Sequence, residues 1–173
     1  TVTNLQIDSL QGDRAICEIL KEMGAVVEYE ADSVTVVSAP LHGITIDGSQ
    51  IPDILPILSV AAACAEGTTK IINAARLRIK ESDRLAAIAE MLTAMGISVE
   101  ETEDSLTIHG GKLLGGEVDS HNDHRMAMSA AVASLRCENP VILNNPSCVS
   151  KSYPHFFEEF CRLGGVVNVQ HLG

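Results

Sequence analysis

The sequence has 173 residues, of which 46% are hydrophobic, with no Trp, three Phe and two Tyr, so we expect one domain of ordinary size with an aliphatic core. Twelve basic residues against 23 acidic residues give a formal net charge of −11, which argues against a nucleic-acid-binding surface built on dense basic clusters. The longest apolar run, residues 54–63, is shorter than the roughly 18 residues of a membrane span, so we expect a soluble cytoplasmic protein. The five cysteines form no C-x-x-C pair, so we expect no disulfide framework and no zinc site.

The first part of the chain predicts four elements, namely an amphipathic helix, a strand, an apolar helix and a second strand, at 13–23, 33–37, 53–65 and 69–72. The first helix stops at Gly24, a residue suited to a left-handed helix cap. The helix at 53–65 is apolar around nearly its whole circumference, which predicts burial on all sides. Residues 1–10 resemble the end of an earlier structural unit, so we expect the chain to be a piece of a longer protein.

The second part predicts a similar series, namely an amphipathic helix, a hairpin turn, an apolar helix and a strand, at 83–95, 103–105, 125–135 and 140–143. Gly96 ends the first of these helices as Gly24 ends its counterpart. The helix at 125–135 is again apolar on nearly all sides, so it too is expected to be buried.

The two series form an internal repeat. Residues 24–28 align with 96–100, and 32–35 align with 104–107, both displaced by 72 residues. A second register, displaced by 71, aligns Asp53 with His124, Asn73 with Asn144, and Lys80 with Lys151. A third, partial copy is predicted where 156–165 leads into 166–169. Buried helices alternating with half-polar strands predict an inside-out α/β domain, with the helices in the middle and the sheets facing solvent.

Three predicted helix starts carry cations, although the helix macrodipole favours carboxylates there. Arg84 follows Asp83 at the first start, Arg125 follows 122–124 at the second, and Lys151 lies shortly before the third. Free N–H groups, the helix dipole and a guanidinium all favour a phosphate or carboxylate, so an anion-binding site is predicted. The alternative is a solvated face of ion pairs, joining Arg76, Arg78 and Arg84 to Glu81, Asp83 and Glu90.

Single residues near these cations allow both a structural and a functional interpretation. Asp53 follows Pro52 at a helix start, where both are ordinary structural choices. Glu81 lies beside Lys80, where a carboxylate could be tuned for proton transfer. His124 is either a polar helix-start residue or part of the site. No metal site is predicted, because the intervals between His109, His121 and His155 do not match those of metal ligands.

Five strings of the sequence resemble the 5-enolpyruvylshikimate-3-phosphate (EPSP) synthases. The longer ones are LRIKESDRL at 77–85, NDHRMAM at 122–128 and CVSKSYP at 148–154. The shorter strings IPD at 51–53 and GTT at 67–69 fall at matching places and in the family's order. The resemblance runs from about Gln11 to Gly164, which is nearly the whole chain.

The resemblance implies two inside-out α/β domains, each built from three βαβαββ units, with the active site in the cleft between them. It implies transfer of the enolpyruvyl group of phosphoenolpyruvate to the 5-hydroxyl of shikimate 3-phosphate, with release of phosphate and without a metal or organic cofactor. This reaction belongs to the pathway to chorismate and the aromatic amino acids. Residues 1–173 are then expected to be the carboxyl-terminal domain of a monomeric parent whose amino-terminal domain is absent from this sequence.

The same resemblance assigns roles to residues within the matching strings. Asp53 resembles the group that binds the shikimate hydroxyls and accepts the 5-hydroxyl proton, and Lys80 would contact the shikimate portion. Glu81 resembles the acid that protonates the methylene carbon of phosphoenolpyruvate. The phosphoenolpyruvate pocket would be formed by Arg84, His124, Arg125 and Lys151.

Two departures and two alternatives accompany this interpretation. Some family members have Asn at the position of Arg76, so its contact with the shikimate ligand is in doubt here. The family's amino-terminal Lys, Arg and serine-rich phosphate pocket lie outside this sequence. A related enzyme of the same fold transfers enolpyruvyl to UDP-N-acetylglucosamine, and residues 65–71 would suit it too. A non-catalytic module that binds anionic metabolites or a partner protein is the other alternative, but it would have no use for Asp53 and Glu81.

Overall fold

The computed structural model describes residues 1–6 and 8–169. Within them the chain forms the strands β1 Val26–Tyr29, β2 Val34–Val37, β3 Thr45–Asp47, β4 Thr68–Ile72, β5 Ser98–Glu101, β6 Leu106–His109, β7 Gly116–Asp119 and β8 Val141–Asn144. The α-helices are α1 Ala15–Glu22, α2 Leu55–Ala63, α3 Arg84–Ala94, α4 His124–Ser134 and α5 Phe156–Arg162. Short 3-10 helices lie at Gly12–Arg14, Ala75–Ile79 and Pro146–Lys151.

The middle of the chain forms one complete βαβαββ unit, in the order β3, α2, β4, α3, β5, β6. Its four strands make one sheet in the order β3-β4-β6-β5, in which β3 and β4 are parallel and the other pairs antiparallel. Parts of the same unit flank it. The hairpin β1–β2 after α1 corresponds to β5–β6 after α3, and the parallel pair β7–β8 around α4 corresponds to β3–β4 around α2. The predicted inside-out α/β fold of repeated units is confirmed.

The helices α2, α3 and α4 contact one another in the middle of the domain. The prediction that 53–65 is buried holds for α2, where Leu55 and Leu58 have 1% exposure or less. The same prediction for 125–135 is only partly right, because Val132 and Leu135 near the end of α4 are exposed. The apolar composition of α4 indicated a buried helix, but the last turn of this helix lies at the surface.

The repeat is visible in the backbone. Gly24 and Gly96, after α1 and α3, both have positive φ angles, as the predicted left-handed caps require. Asn73 and Asn145 both adopt left-handed conformations directly after β4 and β8, which makes 72 residues the structural displacement there. The predicted second register of 71 residues was therefore one residue short at this position.

The predicted hairpin turn near 103–105 is confirmed, because β5 and β6 pair antiparallel across it. The third partial copy is not complete in the described residues. Its helix forms as α5, but 165–169 form no strand. In the first two copies, the strand after the helix pairs with a second strand that follows it, and the described chain contains no second strand after α5. Among the described helices, none has the length and apolar character to cross a membrane.

Candidate active site

The site lies where the amino ends of α2, α3 and α4 meet. Asp53 is two residues before α2, Arg84 is the first residue of α3, and Arg125 is in the first turn of α4. The three helices pack together in the core, so side chains that leave their amino ends can reach one another. Asp83 and Asp123 cap α3 and α4, and their side chains accept hydrogen bonds from backbone N–H groups of the first turn.

Arg84 is at the centre of this site, and its side chain has no exposure to solvent. Nε donates to Oδ2 of Asp123 at 2.7 Å, and Nη2 donates to Oδ1 of the same residue at 3.2 Å. Nη1 donates to Oδ1 of Asp53 at 2.9 Å, and Nη2 also donates to Oε2 of Glu81 at 2.6 Å. Four of the five guanidinium N–H donors are therefore held by three carboxylates.

The Arg84–Asp123 pair is completely buried. Burial alone would lower the pKa of Arg84, but the hydrogen bonds and charge of Asp123, with those of the other carboxylates, raise it above its ordinary value. Burial alone would raise the pKa of Asp123, but the hydrogen bonds and charge of Arg84 outweigh burial and hold this pKa below its usual range. Ser82 also donates to Oδ2 of Asp123 at 3.1 Å. Both members of the pair are therefore charged near neutral pH.

Asp53 is surrounded by cations. Its Oδ1 lies 3.2 Å from Nζ of Lys80 and 2.9 Å from Nη1 of Arg84, and its Oδ2 lies 3.4 Å from Nη2 of Arg125. Nη1 of Arg125 also donates to the backbone carbonyl of Asp53 at 3.0 Å. Partial burial raises the pKa of Asp53. The hydrogen bond from Lys80 and the charge of Arg125 lower this pKa by more, so the net shift is downward.

His124 and Lys151 lie at the start of α4, beside the network. Nζ of Lys151 donates to the carbonyl of Asn122 at 2.6 Å, and the rest of this side chain is exposed. Nδ1 of His124 is buried without a hydrogen-bond partner in the described residues, and it lies 4.0 Å from Oδ1 of Asp123. An unpaired buried nitrogen is costly, so a ligand or water that bonds it would be stabilised.

The structure thus brings five of the seven predicted site residues into one network: Asp53, Lys80, Glu81, Arg84 and Arg125. His124 and Lys151 lie next to this network through residues 122–123. The sequence analysis gave no role to Asp123, although the structure places it at the buried centre. Its position directly before a predicted helix was a signal, but one that equally indicates an ordinary cap.

The alternative of a surface of ion pairs is also partly realised. Arg78 pairs with Asp83 as that alternative expected. Arg84 pairs with Glu81, but its side chain is fully buried and so does not belong to a solvated face. Glu90, however, pairs with His121.

Among residues 1–6 and 8–169, no three His, Cys, Asp or Glu side chains are grouped as metal ligands would be. Arg76 is exposed and makes a long 3.4 Å bond to the carbonyl of Ser49.

Comparison with known families gives one consistent match. The profile of the family EPSP synthase (3-phosphoshikimate 1-carboxyvinyltransferase) matches residues 1–160. The 3-phosphoshikimate 1-carboxyvinyltransferases of Clostridium novyi and Clostridium acetobutylicum are 52% and 55% identical to this chain over 171 residues, with 98% of the chain covered. The chain spans about 40% of the length of these curated relatives.

Solved structures agree with the sequence match. An EPSP synthase from Acinetobacter baumannii superposes with a TM-score of 0.76 at 39% identity, over 88% of this chain and 39% of that chain. The enolpyruvyl transferase NikO from Streptomyces tendae superposes with a TM-score of 0.74 over 91% of this chain and 38% of that chain. At 24% identity, the second likeness shows the shared fold alone.

Proposed function

The chain belongs to the EPSP synthase family, and from that premise we propose that it is the carboxyl-terminal domain of a two-domain enzyme. The whole enzyme transfers the enolpyruvyl group of phosphoenolpyruvate to the 5-hydroxyl of shikimate 3-phosphate and releases phosphate. This chain forms one wall of the active site. The other wall belongs to an amino-terminal domain, for which the greater length of the relatives leaves room.

The observation that carries the proposal is the meeting of carboxylates and cations at three helix starts. Asp53 and Glu81 share the guanidinium of Arg84, and Lys80 and Arg125 bind Asp53. Cations at helix amino ends suit anionic substrates. Carboxylates beside them suit a reaction that moves protons, and a site that merely bound anions would be weakened by them.

The reaction gives each carboxylate a separate part. Glu81 donates a proton to the methylene carbon of phosphoenolpyruvate, while the 5-hydroxyl oxygen bonds to the neighbouring carbon and gives its proton to Asp53. The product of this step is a tetrahedral ketal. Glu81, now a carboxylate, takes a proton back from the new methyl group while phosphate departs with the proton held by Asp53, and the enolpyruvyl ether forms. Asp53 fits the acceptor part because the surrounding cations keep it deprotonated. Glu81 is partly exposed, so a substrate anion that takes its place beside Arg84 would free its carboxyl to take up the proton that it donates.

The cations hold the substrates and stabilise the charge that develops. Arg125 and Lys151 bind phosphoenolpyruvate, with His124 beside them, and Lys80 contacts the shikimate portion. Arg84 can contact phosphoenolpyruvate when one of its present partners turns away. Glu81 and Asp53 are the partners that a substrate anion would replace, since their side chains are 42% and 35% exposed, whereas Asp123 is fully buried.

The experiment is an assay of phosphate release by the intact two-domain enzyme with phosphoenolpyruvate and shikimate 3-phosphate, for the native protein and Glu81→Gln. We expect native turnover that requires both substrates. We expect Glu81→Gln to lower kcat by about 10²-fold or more, the usual contribution of a positioned general acid, while the affinity for shikimate 3-phosphate changes little.

Two controls make the assay specific. UDP-N-acetylglucosamine in place of shikimate 3-phosphate should give no phosphate release. Turnover with UDP-N-acetylglucosamine but not with shikimate 3-phosphate would overturn the proposed substrate. An unchanged kcat in Glu81→Gln would overturn the role of Glu81.

A further inference from the structure

Arg78, at the surface of the site, donates four hydrogen bonds through its guanidinium. Its Nη1 donates to Oδ2 of Asp83 at 2.8 Å, and its Nη2 donates to Oε1 of Glu101 at 2.8 Å. Its Nε donates to the carbonyl of Glu103 at 2.8 Å, and Nη2 also donates to the carbonyl of Thr102 at 2.6 Å. One guanidinium therefore joins the start of α3 to the turn between β5 and β6.

The Arg78–Asp83 ion pair closes a short loop, residues 79–82, at its two ends. Three consecutive side chains of this loop point into the site. Lys80 binds Asp53 at 3.2 Å, Glu81 binds the guanidinium of Arg84 at 2.6 Å, and Ser82 donates to Asp123. The orientation of the loop therefore determines where the ammonium of Lys80 and the carboxyl of Glu81 lie.

The other contacts of Arg78 fix the loop to rigid structure. The second oxygen of Asp83 accepts the N–H of Ala86 and caps α3, so the two oxygens of this carboxylate are held from opposite sides. The β5–β6 turn belongs to the four-stranded sheet, and its Asp104 carbonyl accepts the N–H of Ala74 at 2.7 Å. Arg78 thus ties the loop both to a helix cap and to the sheet.

We propose that Arg78 is a positioning residue for the transfer reaction, which acts by holding loop 79–82 so that Lys80 and Glu81 reach their places in the site. This inference rests on the proposed function and assigns Arg78 no contact with substrate. Arg is suited to this part because its planar fork donates in several fixed directions at once, which a Lys ammonium does not reproduce.

The test compares variants of the intact enzyme. Arg78→Gln removes every charged contact, and Asp83→Asn removes the ion pair while keeping a good helix cap. We expect Arg78→Gln to lower kcat by about 10- to 100-fold, as displacement of catalytic groups by about 1 Å does, with the affinity for shikimate 3-phosphate within about threefold. Arg78→Lys should recover part of this loss, because it restores the charge without the fork. The double variant should be little slower than Arg78→Gln, since both changes act through one contact.

A second measurement does not depend on activity. Hydrogen exchange of the intact enzyme should show faster exchange of the amides of 79–83 in Arg78→Gln, with unchanged exchange in α2. The matched control is Arg162→Gln, which removes a guanidinium paired with Glu159 on the surface of α5 and should alter neither readout. Unchanged exchange in 79–83, or an equal loss of kcat in the control, would overturn the role of Arg78. Absence of turnover in the native enzyme would instead overturn the proposed function, and the exchange result would still decide whether Arg78 holds the loop.

Discussion

At the scale of single residues, stability depends on the buried pairing of Arg84 with Asp123. Both side chains are fully buried, and each satisfies the charge of the other. A buried ion pair contributes little compared with an apolar core, but loss of one partner is costly because the other charge stays buried. The pair therefore makes the site depend on Asp123, a residue that need not touch a substrate.

Asp123→Ala is predicted to lower the free energy of unfolding of this chain by about 3–5 kcal/mol, the usual cost of breaking a buried ion pair. Asp83→Ala is the matched control, because Asp83 also caps a helix of the same bundle but its side chain is 43% exposed. Its loss should cost about 1 kcal/mol. Denaturant unfolding measures both values, and equal losses would show that Asp123 acts as a cap alone.

Asp123→Ala should also change how stability depends on pH in the acid range. The pKa of Asp123 is lower in the folded chain than in the unfolded chain, where it is about 3.9. The stabilisation is therefore fully present above about pH 4 and is lost as the pH falls below that value towards the folded pKa. The free energy of unfolding of Asp123→Ala should fall less steeply than that of the native chain over this acid range.

At the same scale, the sequence predicted which charged residues meet but not which of them are buried. The predicted cations and carboxylates do meet, because the strings that carry them lie at helix starts. The sequence did not reveal that Arg84 is sealed from solvent, since two of its partners, Asp53 and Asp123, lie 31 and 39 residues away along the chain. Burial of that kind is a product of packing between three helices and has no local pattern.

At the scale of elements, the end of β6 passes very close to the end of α2. A Cβ atom on Gly110 would lie 1.8 Å from the carbonyl oxygen of Ala65, whereas one on Gly111 would make an ordinary 3.6 Å contact with Ile97. Gly110 also donates to the carbonyl of Gly67 at 2.9 Å. The absence of a side chain at Gly110 is therefore what lets α2 lie on the sheet.

Gly110→Ala is predicted to destabilise the chain by about 1–3 kcal/mol, as overpacking of a tight site does. Gly111→Ala, the adjacent control, should change stability by about 0.5 kcal/mol or less. Thermal or denaturant unfolding of the two variants gives the comparison. A similar loss in both would mean that glycine is needed for chain flexibility and not for the close approach.

Element types were mostly predictable because they depend on local periodicity. The amphipathic pattern and Gly24 and Gly96 located α1 and α3, and β-branched runs located β2 and β8. The end of α4 and the segment 165–169 were less predictable, because exposure and strand formation depend on what packs alongside. The second repeat register also missed by one residue, since side-chain identity does not report the left-handed turns at Asn73 and Asn145.

At the scale of the whole molecule, the meeting of three helices determines the net charge of the site. The amino ends of α2, α3 and α4 supply three cations and three carboxylates to one network, so its charges cancel: Lys80, Arg84 and Arg125 with Asp53, Glu81 and Asp123. The chain as a whole carries a formal charge of −11. A neutral network on an acidic domain attracts anions weakly, and Lys151 adds a single further charge beside it.

The 173-residue chain by itself is therefore predicted to show no measurable transfer, although it contains both proposed proton-transfer residues. The two proposed substrates are highly charged and would need more cations than this wall offers, and in the proposed two-wall site orientation between the walls would supply much of the rate. Phosphate release should be absent with the chain alone and should appear when the amino-terminal domain is joined to it or added in excess. Asp53→Asn in the joined enzyme controls for contaminating activity and should abolish the signal. Substantial turnover by the isolated chain would mean that one wall binds and aligns both substrates, and the two-wall account of the active site would then be wrong.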